Sequence, residues 1–158
     1  YTGAAVNITG TAKNVGETTE SFDVKAYYDS NLLGTYSVIN LSPATEITLI
    51  FAWNTSGLAP CHNYTITGEA TTIPFEYNTT NNILVDGTVK IRIVGDINGD
   101  GRVNMQDIGI VAASFGSYPG HPRWNPDADI TGIQYLVPDG VVNMQDVALV
   151  ASNFGKTC

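Results

Sequence analysis

Basic residues are scarce. The chain of 158 residues carries seven Lys and Arg against fifteen Asp and Glu, a formal net charge of −8, so a phosphate backbone would be repelled and nucleic acid is excluded as a partner. Its two histidines, His62 and His121, sit among prolines and turn residues with no Ser or Cys nucleophile motif around them, which argues against triad-type catalysis. Cysteine is limited to Cys61 and Cys158, too far apart for a zinc site. No apolar run approaches the roughly 18 residues that span a bilayer, and Tyr1-Thr-Gly opens without the n-region or h-region of a signal peptide. The expectation is a soluble chain, the product of processing, with no enzyme chemistry.

Oxygen ligands, by contrast, are concentrated. In Asp96-Ile97-Asn98-Gly99-Asp100-Gly101-Arg102-Val103-Asn104-Met105-Gln106-Asp107, oxygen-bearing side chains fall at loop positions 1, 3, 5, 9 and 12 with Gly at 6, the ligand order of an EF-hand-type calcium loop. Arg102 at position 7 need offer only its carbonyl. Position 12 is Asp107 rather than Glu, and Lys90 to Gly95 reads as strand, so this is a loop followed by one helix. Asn104 to Phe115 is that helix, with Asn104 as N-cap, Ile108, Val111, Ala112 and Phe115 at helical spacing, and Gly116 as its stop.

The phrase returns: Gly101-Arg-Val-Asn-Met-Gln-Asp-Ile is echoed by Gly140-Val-Val-Asn-Met-Gln-Asp-Val, an internal repeat. Reading the second loop from Asp127 ends it on Pro138, which cannot bind. The register chosen instead takes Asp129, Thr131, Asp139, Val141 (by its carbonyl), Asn143 and Asp146 as ligands and loops out Ile133 to Pro138. A second helix, Asn143 to Phe154, then carries Val147, Val150, Ala151 and Phe154.

Two units of the form D-x-N-G-D-G-x-V-N-x-x-D, joined by Pro119-Gly120-His121-Pro122-Arg123-Trp124-Asn125-Pro126-Asp127, resemble a type I dockerin over about residues 95 to 156. The resemblance implies two bound Ca2+ ions, a small antiparallel helix pair, and docking onto a cohesin. Partner choice in that family draws on loop positions 10 and 11, here Met105 and Gln106, then Met144 and Gln145. The identical pairs imply two equivalent faces. The insertion in loop two departs from the family pattern. Without a cation the carboxylates of each loop repel one another, so ion binding and folding of this small module are expected to be coupled.

Residues 1–94 read as strands. Phe22, Val24, Ala26 and Tyr28 alternate with polar neighbours, as do Ile47, Leu49, Phe51 and Trp53; Val6 and Ile8, Tyr64 and Ile66, and Val89, Ile91 and Ile93 continue the pattern. Six such strands predict an antiparallel β-sandwich, with Trp53 in its core and Trp124 packed on the helix pair. Asn7-Ile-Thr-Gly-Thr-Ala-Lys-Asn-Val-Gly-Glu, Phe51-Ala-Trp-Asn-Thr-Ser-Gly-Leu and His62-Asn-Tyr-Thr-Ile resemble the immunoglobulin-like CARDB domains of surface proteins. That resemblance implies a non-catalytic extracellular or cell-surface module, of an archaeon, and a fold that ordinarily opens one strand earlier. A sandwich lacking that strand would be a template for strand addition; Ile133 to Pro138 is a candidate donor, with packing on its own module the favoured reading.

Asn7, Asn40, Asn54, Asn63 and Asn78 head N-glycosylation sequons, and N-linked glycans fit an extracellular site. Cys61 and Cys158 are expected to form a disulfide, within the chain or between chains, in preference to two unpaired thiols, given the extracellular signs. The chain thus divides into a sandwich, 1–94, and a calcium module, 95–158. Two functions follow: a structural or adhesive subunit assembling with copies of itself into a filament by strand addition, or an anchor for a cohesin-like receptor.

Overall fold

The computed structural model describes residues 1–158. It is mainly β: β1 (Ala5–Lys13), β2 (Glu20–Tyr28), β3 (Asn31–Leu41), β4 (Glu46–Asn54), β5 (Asn63–Ala70) and β6 (Ile83–Lys90) precede two short helices, α1 (Met105–Ser114) and α2 (Met144–Ser152). No helix is long and apolar enough to cross a membrane.

The chain forms two compact units: Ala5–Asn54 with Asn63–Val89, and Tyr1–Ala4 with Thr55–His62 and Lys90–Cys158. The boundary expected between residues 94 and 95 therefore lies earlier, and the helical unit also takes in the first residues and the segment before β5. Lys90 to Gly95, expected as strand, leaves the sheet after Lys90. Ile91 and Ile93 keep the alternation of Val89 but are buried in the helical unit.

In the sandwich unit the four-stranded sheet runs β3-β2-β5-β6 and the other holds only β1 and β4. This is the antiparallel, immunoglobulin-like sandwich predicted. The register sets Val6 opposite Trp53, Ile8 opposite Phe51, Gly10 opposite Leu49 and Ala12 opposite Ile47, so these four alternate residues of β1 share a face with apolar residues of β4. Between the sheets lie Ala26, Val38, Leu49 and Phe51, flanked by Ile8, Phe22, Val24 and Leu33. Trp53 stacks on Tyr28 at 5.2 Å and meets Tyr64 edge to face at 5.7 Å, geometries that aromatic quadrupoles favour.

A polar residue closes the β1–β2 connection. Asn14 is buried; its amide donates to the carbonyls of Thr18 and Leu41, each at 2.8 Å, while its oxygen accepts the Gly16 N–H at 2.9 Å. Nothing in its sequence context marks Asn14 out from the other turn residues.

The helical unit has its own core of Ile93, Ile97, Val103, Val111, Ala128, Ile130, Val142 and Val150, with Trp124 packed against it as expected. The helices present a narrower stripe than predicted. Asp107, Val111 and Ser114 are the buried residues of α1, and Asp146 and Val150 those of α2. Ala112, Phe115, Ala151 and Phe154, expected inside, are exposed. Phe115 is a C-cap in extended conformation and Phe154 lies beyond the cap Asn153, so helical spacing no longer applies to either.

Candidate metal centres

Each helix begins on a capping box, in which the cap side chain and the carboxylate three residues on satisfy each other's backbone N–H. Asn104 Oδ1 accepts from Gln106 N at 2.7 Å and Asp107 Oδ2 accepts from Asn104 N at 2.8 Å. In α2, Asn143 Oδ1 accepts from Gln145 N at 2.7 Å and Asp146 Oδ2 from Asn143 N at 2.8 Å.

The caps draw the preceding loops inward in the same way. Asp107 Oδ1 accepts the N–H groups of Ile97 (2.8 Å) and Asn98 (3.2 Å); Asp146 Oδ1 accepts those of Ile130 (2.9 Å) and Thr131 (3.0 Å). Asp96 Oδ2 accepts from Gly101 N at 3.1 Å, and Asp129 Oδ2 from Gly140 N at 2.8 Å. Asp100 Oδ1 takes Arg102 N at 2.9 Å, as Asp139 Oδ1 takes Val141 N at 3.0 Å. In these bonds Asp129 occupies the place of Asp96, and Asp139 that of Asp100; they differ in that Asp139 N donates to Asp129 Oδ1 at 3.3 Å, whereas Asp100 N donates to Asn98 Oδ1 at 3.0 Å. Asp127 stands apart in a 3-10 turn, Pro126–Ala128, capped by Asn125.

Where the insertion leaves the second loop, Gly132 and Asp139 are pinched together: a Cβ on Gly132 would lie 2.6 Å from Asp139 Cβ. That glycine escapes the motif, because the turn it serves belongs to the insertion. Thr131 is also partly diverted, its hydroxyl donating to Gln134 O at 3.3 Å and accepting Leu136 N at 3.2 Å. Of the insertion, Leu136 is buried while Ile133, Tyr135 and Val137 are exposed, so the expected packing on its own module holds for one side chain of four.

The electrostatics of the loops are unbalanced. Asp96, Asp107, Asp129 and Asp146 are all buried, and Asp96 Oδ1 has no hydrogen-bond partner. The nearby cations serve carbonyls: Lys90 Nζ donates to Gly99 O at 3.1 Å and Arg92 to Ile97 O at 3.1 Å. Burial raises the Asp129 carboxyl above its ordinary range; the N–H groups of Gly140 and Asp139 oppose this, and the charges of Asp146 and Asp139 add to it. No three Asp, Glu, His or Cys side chains converge on a single point. By residue type the expected positions, with Asn98, Asn104, Thr131 and Asn143 and the Arg102 and Val141 carbonyls, offer only oxygen, as a hard cation requires, but the structure does not gather these donors: Asn98 Nδ2 donates to Asp100 Oδ2 at 3.0 Å and Asn143 Nδ2 to Val141 O at 3.2 Å. Asp96 Oδ1 is the atom such a cation would satisfy.

Val103, at position 8 of loop one, exchanges backbone bonds with the chain after α2: Val103 N donates to Lys156 O at 2.9 Å and Gly155 N to Val103 O at 2.8 Å. Val142, at the same position of loop two, does the same with the chain after α1: Gly116 N donates to Val142 O at 2.8 Å and Val142 N to Ser117 O at 3.0 Å. The duplication is thus a pseudo-twofold in which each loop is strapped by the tail of the other helix. Cys158 ends one strap, its N–H on Gly101 O at 2.9 Å, and forms a disulfide with Cys61 within the chain. Thr55, read from sequence only as the middle of a sequon, is wholly buried, and its hydroxyl lies 2.7 Å from Ala4 O and 2.9 Å from Tyr1 O.

Met105, Gln106, Met144 and Gln145 are exposed at equivalent positions of the two first turns. Asn7, Asn40, Asn54, Asn63 and Asn78 are exposed on the strands and loops of the sandwich unit.

No protein-family model matches the chain, and no curated protein matches it. Among solved structures it is similar to a domain provisionally named as part of a cell surface protein of Methanosarcina acetivorans, at 28% identity over 52% of this chain and 73% of that one, TM-score 0.44. A CARDB domain from Pyrococcus furiosus, solved with di-metal ions, is 21% identical over 58% of this chain and 81% of that one, TM-score 0.48. A chain of a type II cohesin–X-dockerin complex from Acetivibrio cellulolyticus aligns over 96% of both at 14% identity, TM-score 0.34.

Proposed function

We propose that this protein is a non-catalytic extracellular structural or adhesive subunit, stiffened by two Ca2+ ions, that assembles with copies of itself by strand addition. The observation that carries the calcium reading is the Asp96 carboxylate: buried, with one oxygen lacking any donor, in a loop whose remaining donors are all oxygen and fall in the order a hard cation requires. A buried carboxylate oxygen left without a donor is destabilising. Bound calcium would supply the missing counter-charge. Asp96, Asn98, Asp100, Asn104, Asp107 and the Arg102 carbonyl would hold the first ion; Asp129, Thr131, Asp139, Asn143, Asp146 and the Val141 carbonyl would hold the second. Loop two, with its threonine partly diverted, is the weaker site.

The residues themselves do the structural work. Asp107 and Asp146 each tie a helix N-terminus to its own loop, so ordering a loop orders the helix that follows. The straps through Val103 and Val142 carry that order to the other half of the pair. An oxidising, extracellular setting is supported by the Cys61–Cys158 disulfide and by the exposure of all five sequon asparagines, which leaves them accessible to N-linked glycans.

A second reading rests on Met105, Gln106, Met144 and Gln145, exposed at paired positions as an anchor for a cohesin-like receptor would require. Two measurements decide. Calorimetric titration of chelator-treated protein should show two calcium sites, with a rise in Tm that an equal concentration of magnesium does not give; no heat and no rise overturn the calcium reading. Sizing without any receptor should show polymers for the subunit and a monomer for the anchor.

A further inference from the structure

The two sheets of the sandwich are unequal, and the position of the shorter one decides what stays uncovered. β4 lies toward β3: the Tyr36 hydroxyl on β3 donates to Ile50 O on β4 at 2.9 Å, and the Tyr36 and Phe51 rings meet edge to face at 5.0 Å. β1 therefore lies toward β5 and β6, with no partner on its second edge. Strands pack about 4.8 Å apart, so a two-stranded layer covers about half of a four-stranded one.

Three observations locate the gap. Val6, Ile8, Gly10 and Ala12, the inward residues of β1, are only half-buried, whereas Leu49, Phe51 and Trp53 opposite them are buried. On β6, Ile83, Leu84 and Val85 are 60%, 63% and 63% exposed; consecutive residues point to opposite faces, so at least one faces inward uncovered whatever the register. Gly10 on β1, and Gly68 on β5 in phase with buried Tyr64 and Ile66, both have nothing within 4 Å of where a Cβ would stand.

We propose that this slot, walled by the free edge of β1 and floored by Gly68 and β6, accepts an extended strand from a second copy of this chain, and that the donor is Ile133–Val137. The inference rests on the strand-addition reading above and identifies its two surfaces. Ile133, Tyr135 and Val137 are 98%, 66% and 49% exposed and would share one face once extended. The run carries no charge. Leu136 sits at φ 57, a region unfavourable to residues with a Cβ, which extension relieves at the cost of its burial and of its N–H bond to the Thr131 hydroxyl. Five residues span about 17 Å, enough to pair with half of β1, and Tyr135 would place its ring where the two glycines leave room. Donor and acceptor are unlike surfaces, so the contact is head to tail and its product open-ended.

Sedimentation velocity of the full chain in calcium, across a concentration series, tests this with two variants. Gly10→Val puts its Cβ where nothing lies within 4 Å and suits a strand; it should keep the Tm and weaken association by about tenfold or more. Tyr135→Asp should do the same from the donor side. Mixed in equal amounts, the two should give a dimer that grows no further, because one intact edge meets one intact donor. A wild-type chain that stays monomeric removes the filament reading and this inference with it. Polymers of Gly10→Val as abundant as wild type, or a mixture that stays monomeric, keep the filament reading and overturn the slot.

Discussion

Replacing both cysteines by serine should weaken the helical unit and leave the sandwich as it is. Cys61 and Cys158 are 97 residues apart, with Cα atoms at 5.9 Å, and both belong to the helical unit. The chain-entropy model gives about 4.7 kcal/mol for a loop of this size. If the sandwich stays folded while the helical unit opens, residues 63–89 no longer contribute freely and the loop shortens by about a quarter, which changes the figure little because the dependence is logarithmic. Urea unfolding of wild type and Cys61→Ser/Cys158→Ser in saturating calcium reads the difference, with Trp124 reporting the helical unit and Trp53 the sandwich. The Trp124 midpoint should fall by the equivalent of about 3 to 5 kcal/mol, and the slope should rise because the denatured state is no longer cross-linked. The Trp53 midpoint should not move. Equal shifts at both probes, or a loss below about 1 kcal/mol, would refute the assignment of this crosslink to one unit.

Other outcomes follow from particular contacts. Asp107→Ala removes the acceptor for three backbone N–H groups together with a ligand; titration should lose the tighter calcium site, whereas Met105→Ala should leave calcium affinity unchanged. Gly132→Ala puts a carbon 2.6 Å from Asp139 Cβ and should cost about 1–3 kcal/mol as overpacking, with the weaker site lost and the tighter one kept. Asn14→Ala leaves two part-buried carbonyls and one N–H without this partner; the Trp53 midpoint should fall by about 1–3 kcal/mol while calcium binding is retained.

The strands were legible because one face of an antiparallel sandwich is buried and the other wet, which imposes alternation on Ile47, Leu49, Phe51 and Trp53. The same rule misreads the exit from β6. Ile91 and Ile93 remain in phase with Val89, and alternation records burial without recording which core receives the side chain. Both helices were legible through their caps, Asn104 and Asn143, since capping is a local bargain among neighbours. Their buried faces were legible only in part: the stripe places Val111 and Val150, both fully buried, but Asp107 and Asp146 are buried beside them while Ala112 and Ala151 are exposed, because the carboxylates that hold the loops point inward. An interior position taken by a charged residue is invisible to a hydrophobic pattern. Nothing in the sequence pairs Gly10 with Gly68; only the unequal sheets give them a common meaning.

The cross-strapping sets how the two loops must depend on each other. If each loop were held only by its own helix, losing an ion from one would leave the other untouched. Instead Val103 within loop one bonds to Gly155 and Lys156 behind α2, and Val142 within loop two bonds to Gly116 and Ser117 behind α1. Ordering either loop therefore fixes a segment that the other helix needs for its own termination, and linkage requires the effect to run both ways. The disulfide breaks this symmetry, because Cys158 lies at the end of the strap on loop one alone and its N–H is bonded to Gly101. Loop one keeps its strap when the second ion leaves; loop two has no such tether and carries the insertion besides. On the calcium reading the two ions should leave in order, the one at Asp129 and Asp146 first, and reducing the disulfide should bring the two affinities closer together.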